Sequence, residues 1–134
     1  MISLEMVGFT AKAKGTQKLP LPLRPFYPDT GDFLALVGDD VSSSLLALAR
    51  SAFRKVPRLP VETLTVPLHG WLFPETRLSD HAPFWDAGYP ALLVTDTSFF
   101  RNPHYHLPSD RLETLDLEFL AKVTEGIVNL ARSI

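Results

Sequence analysis

The sequence predicts an α/β domain, a sheet covered on both faces by helices. Three observations carry this. Short apolar runs alternate with segments of helical spacing. The short runs are close to continuously apolar, as strands buried on both faces are. The chain has 134 residues, 46% hydrophobic and 21% charged, which fits one domain with a core of its own.

Each element has a local reason. Ile2 to Phe9 (ISLEMVGF) reads as a strand, apolar except at Glu5. Thr10 to Thr30 holds Pro20, Pro22, Pro25 and Pro28 and reads as a long loop, of a kind that is uncommon and often functional. Phe33 to Val37 is a buried strand between Gly31-Asp32 and Gly38-Asp39. Ser42-Ser43-Ser44 offers an N-cap to a helix ending near Val56, before Pro57. Leu45, Leu46, Leu48, Ala49 and Phe53 form its apolar positions. Val61 to Val66 alternates as a strand does. Asp80 to Ala87 is a short helix that Gly88 ends, and Ala91 to Thr95 is another buried strand. Asp116 caps a last helix to about Arg132, with a stripe of Leu117, Leu120, Val123, Ile127, Leu130 and Ile134. A buried strand opening at residue 2 suggests a domain that extends upstream.

Composition narrows the function. Formal net charge is -2 with no basic stripe, so nucleic acid has no electrostatic footprint. No apolar run approaches the ~20 residues of a membrane span, and no leader is visible. There are no cysteines, so any metal must be held by His, Asp or Glu. The compartment stays open.

The chemistry-bearing residues concentrate between Ser79 and His106. His104 and His106 are two apart, so in extended backbone they point the same way and could share a metal, or lie on a plain surface loop. Glu5 interrupts an apolar strand, where a carboxylate is costly unless paired or metal-bound. The alternative is an edge strand with Glu5 in solvent. Ser79-Asp80-His81 has the residue types of a serine hydrolase triad, but adjacent residues cannot converge on one point and no G-x-S-x-G elbow is present. Asp80 is better read as a helix cap or as an acid that orients a metal ligand. Asp96 and Asp110 read as structural, and Trp71, Trp85 and Phe84 as core. Arg101 could bind a substrate carboxylate or carbonyl, though bracing its own loop is the stronger reading.

The ordered run S-D-H-A-P-F-W, A-G-Y-P-A, T-D-T, R-N-P-H-Y-H and D-R-L-E-T-L-D (residues 79–116) is similar to the C-terminal part of the co-catalytic zinc aminopeptidases. That is metallopeptidase family twenty-eight, which also holds the glutaminyl cyclases. The opening L-E-M-V-G-F resembles the family's strand ending in an acid, so the likeness covers essentially the whole chain as a single domain. The resemblance implies a partial three-layer α/β sandwich with a mixed, mostly parallel sheet and two zinc ions in the complete site. It implies His106 and Glu5 as zinc ligands, Tyr105 as a stabiliser of the tetrahedral intermediate, and Asp80 as a buried acid beside the site. Many members have Asp where this chain has Glu5, and Asp110-Arg111 replaces the usual Asp-Thr.

The family's first ligand histidine, bridging aspartate and Glu-Glu pair precede the acidic strand, and nothing before Glu5 supplies them. The resemblance therefore implies hydrolysis of N-terminal residues from peptides in the full enzyme, with this chain incomplete alone. Two other readings stand beside it: a non-catalytic assembly module, self-associating or pairing with an N-terminal half, and a glutaminyl cyclase-like protein. Exported relatives make a secreted or periplasmic setting an expectation only.

Overall fold

The computed structural model describes residues 1–134. Four strands form one sheet: β1 (Ile2–Leu4), β2 (Leu34–Asp39), β3 (Val61–Val66) and β4 (Leu92–Thr95). Their spatial order is β1-β4-β2-β3. β1 pairs parallel with β4, β2 parallel with β3, and the central β2–β4 pair is antiparallel. The sheet is therefore mixed and mostly parallel. The helices are α1 (Ser43–Phe53), α2 (Ala82–Asp86) and α3 (Leu117–Ala131).

The main core lies on one face of the sheet. Leu34 and Leu36 of β2 and Leu92 and Val94 of β4 point there, by the period of two that strands impose. They meet Leu46, Ala49 and Phe53 of α1 and Phe119, Val123 and Leu130 of α3. The α1–α3 crossing is close because Gly126 presents no side chain: a Cβ there would overlap the ring of Phe53, which is fully buried. Asp116 caps α3, its Oδ1 accepting from the Phe119 N–H at 3.0 Å. The buried stripe of α3 is rotated from the expected one. Phe119 and Gly126 are buried, whereas Leu117 is exposed in the first turn and Ile134 lies exposed past the end of the helix at Ala131.

The opposite face carries a smaller core of Val37, Val66, Trp85, Ala91 and Leu93. Its cover is the short α2 and loops, which leave part of the sheet open. Trp85 is fully buried and donates from Nε1 to the Ala91 carbonyl at 2.9 Å. Trp71 and Phe84, expected in the core, are exposed: Trp71 lies in a turn outside any sheet-facing helix, under the Arg77 guanidinium at 3.9 Å, and α2 has only five residues, so one face of it alone reaches the sheet.

β1 ends earlier than its apolar pattern suggests. Met6 adopts φ 53°, and the chain turns away from the sheet directly after Glu5. Asp96 holds that turn. Its Oδ2 accepts from the Gly8 and Phe9 N–H groups at 3.1 and 2.7 Å, its Oδ1 accepts from Ser98 N–H, and its own N–H donates to Met6 O. Ser42 occupies the N-cap position of α1 without capping it. Its hydroxyl instead donates to Asp39 Oδ1 and accepts from the Ala91 N–H at 2.9 Å, tying α1 to β2 and β4.

Candidate functional site

Residues one row apart in the sheet define the open face. Val94 pairs with Leu4, so Glu5 follows in line with Thr95, and the Glu5 N–H donates to Val94 O at 3.1 Å. Thr95 pairs with Ala35, and Ala35 with Glu62. Glu5, Thr95, Ala35 and Glu62 thus cross the sheet in one row. The next row on the same face is Leu93, Val37 and Leu64. These two rows floor a pocket of about 110 Å³. Leu19, Leu23 and Tyr27 of the proline-rich loop wall one side, anchored where the Tyr27 hydroxyl donates to Thr63 O at 2.9 Å. Phe73, Phe99 and Tyr105 wall the rest. The long loop thus shapes this cavity.

The structure brings Glu5 and Tyr105 to the same pocket and places His106 next to it. His106 sits at φ 57°, exposed, with its ring stacked on Tyr105 at 4.0 Å between centroids. The two histidines do not converge, because this segment is turn rather than strand. His104 accepts or donates at Ser109 Oγ, 3.0 Å away, and packs edge-on to Phe9.

Two expected site residues lie elsewhere. Asp80 is exposed and is not the buried acid the resemblance implies. The inward position goes to its neighbour His81, which is fully buried, edge-on to Trp85 at 4.3 Å, with Nε2 bonded to Thr76 O. With His81 turned in, Asp80 turns out. Burial holds the His81 pKa below the usual imidazole value, and the Thr76 hydrogen bond offsets part of this. Arg101 is buried and stands outside the pocket lining. Its Nε donates to Gln17 Oε1 at 2.9 Å and its Nη1 to Phe33 O at 2.9 Å and Phe9 O at 3.3 Å. It braces three loops. Burial lowers its pKa to about 10, so it stays charged at neutral pH.

The buried acids of this chain are Asp39 and Asp96. Asp96 is pushed up to about 6 by burial, against the pull of its three N–H donors and of Arg101. Asp39 accepts from Ser42 and lies 2.7 Å from His69 Nδ1. The sequence reading missed the Asp39–His69 pair. Thirty residues and a left-handed turn at Leu68 and His69 separate the partners, and no local pattern signals that.

Zinc sites take four ligands as a rule, from Cys, His, Asp or Glu. No group of three or more such side chains stands close enough here to hold a metal ion. Glu5 and His106 are the residues the resemblance assigns, and by themselves they do not fit the ion.

A model of peptidase family M28 matches residues 1–131. The chain belongs to peptidase family M28. It is also 37% identical over 131 residues to the uncharacterized protein YfbL of Escherichia coli (strain K12), covering 97% of this chain and 40% of that relative. Two solved structures share the fold. The Legionella pneumophila LapA aminopeptidase superposes with TM-score 0.64 at 19% identity, over 98% of this chain and 29% of that one. LapB from the same organism gives 0.65 at 17%, over 98% and 30%. This M28 chain thus spans less than half the length of the relatives it matches, and it is peptidase-like in family and in fold.

Proposed function

We propose that this chain is the C-terminal part of a zinc aminopeptidase catalytic domain and is inactive by itself. The observation that carries the reading is that Glu5, Tyr105 and an apolar pocket meet at one end of the sheet, with His106 stacked on Tyr105. In the complete protein Glu5 and His106 would supply two zinc ligands. The remaining ligands and the general base would come from residues beyond these 134. Glu5 and His106 would there help to hold an ion that would supply Lewis-acid polarisation of a carbonyl and activation of water.

The chain's own share of the work is recognition and charge stabilisation. The pocket takes the side chain of the N-terminal residue, since it opens beside Glu5 and Tyr105. The Tyr105 hydroxyl would be the donor that meets negative charge as it develops on the carbonyl oxygen. Its ring is held by stacking against His106 and by Phe99 at 5.6 Å. Buried Arg101 and Asp96 fix the loops that carry these groups.

Zinc content after dialysis and hydrolysis of aminoacyl-nitroanilides test the reading. The chain alone should hold no stoichiometric zinc and release no nitroaniline. A chimera that places it after the preceding portion of YfbL should gain both. Two zincs and turnover in the chain alone would overturn its incompleteness. A folded chimera with neither would overturn the aminopeptidase assignment.

A further inference from the structure

The apolar pocket carries charge of one sign only. Of its 22 lining residues, 13 are hydrophobic, three are glutamates (Glu5, Glu62, Glu75) and none is basic. Glu62 is half-buried and takes part in none of the three ion pairs of the chain. Its carboxylate is therefore free to pair with a cation that a ligand brings along the apolar floor. We propose that the pocket selects an N-terminal lysine or arginine, with the alkyl stem over Ala35 and Leu64 and the cation on Glu62. This deepens the aminopeptidase reading and rests on it.

The sheet supplies the ruler. Glu5 and Glu62 stand in one row three strands apart, roughly 14 Å between backbones at about 4.8 Å per strand. A peptide Cα held just inside Glu5 leaves on the order of 10 Å to the Glu62 backbone, about the combined reach of a lysine and a glutamate side chain. Between them the floor is Ala35, the smallest side chain of the row, and it is only half-covered. A leucine would stop over Ala35 and leave Glu62 unpaired. The aliphatic walls suit the stem, since a lysine stem buries well along apolar surface while its head stays polar. Glu75 is exposed at the rim and adds to the negative potential. Tyr27 senses the same charge: burial, and after it Glu62, raises its pKa.

The test is binding to the purified 134-residue chain, read by two-dimensional NMR titration with lysinamide, norleucinamide and pentylammonium. Norleucinamide matches the lysine stem without the cation. Pentylammonium carries the cation without the α-amine and carbonyl. Lysinamide should bind roughly tenfold tighter than norleucinamide, and Glu62→Gln should abolish that ratio while leaving norleucinamide binding unchanged. Equal affinities, or a ratio that survives Glu62→Gln in a variant with an unchanged unfolding midpoint, would overturn the selectivity. Glu62-dependent pentylammonium binding that lysinamide does not improve upon would keep the cation pocket and sink the aminopeptidase reading behind it. If the variant does not fold, loss of the lysinamide preference in 0.5 M salt, against unchanged norleucinamide binding, decides the same question.

Discussion

Gly126→Ala should destabilise the protein although alanine is the better helix former. Gly126 lies within α3, where Ala is favoured over Gly by about 1 kcal/mol. The added methyl would overlap the Phe53 ring edge and come within 3.0 Å of its Cγ. Phe53 is fully buried between α1, α3 and the sheet, so its ring has no free space to turn into. Overpacking of that kind costs about 1–3 kcal/mol, or more where the core cannot shift. The clash involves two ring atoms directly, which places the cost in the upper part of that range. The net loss is then about 1–2 kcal/mol. With a urea m-value near 2 kcal/mol/M the midpoint falls by about 0.5–1 M. Glu125→Ala, one residue away on the exposed side, should move the midpoint by a quarter of that or less. Phe53→Leu in the Gly126→Ala background should cost less than in the parent, because the methyl fills the space the ring leaves. An increased midpoint for Gly126→Ala, or strict additivity with Phe53→Leu, would refute the close-crossing argument.

Asp96 makes stability depend on pH with a definite sign. Its folded pKa, about 6, lies above the unfolded value, so the native state binds more protons between about pH 4 and 6. Its contribution therefore falls as pH rises through that window, by at most about 3 kcal/mol. His81 has the opposite sign: its lowered pKa contributes stability at neutral pH that is lost as pH falls below about 6.5. Comparing urea midpoints at pH 4.5 and 6.5 with those of Asp96→Asn isolates the first effect, and an identical pH slope in the variant refutes it. Asp96→Asn should also lower the midpoint at every pH, since an amide turns an N–H toward backbone donors. Asp116→Ala removes the α3 cap and should cost about 1 kcal/mol by urea unfolding. β1 is an edge strand with Leu4 half-exposed, so the isolated chain should self-associate in light scattering. A clean monomer across the concentration range would count against the edge as a pairing surface.

Local patterns determined much of this protein. Val61–Val66 is a strand at the residues its alternation marks, because period-two patterning requires no distant partner to be read. The Asp116 cap is legible for the same reason: its acceptor serves an N–H three residues on. The ordered S-D-H…R-N-P-H-Y-H run pointed to the family, and the family model that matches residues 1–131 bears it out. The early end of β1 was not legible, since a residue ninety positions away, Asp96, captures the turn after Glu5. Asp80 and His81 show the limit most plainly. Adjacent residues exchange inside for outside with a small rotation of the chain, and only the packing of His81 on Trp85 decides which is buried. The negative pocket is likewise a tertiary fact. Glu5 and Glu62 are 57 positions apart in the chain, and they face one cavity because strand register, which depends on which strands pair, puts them in one row.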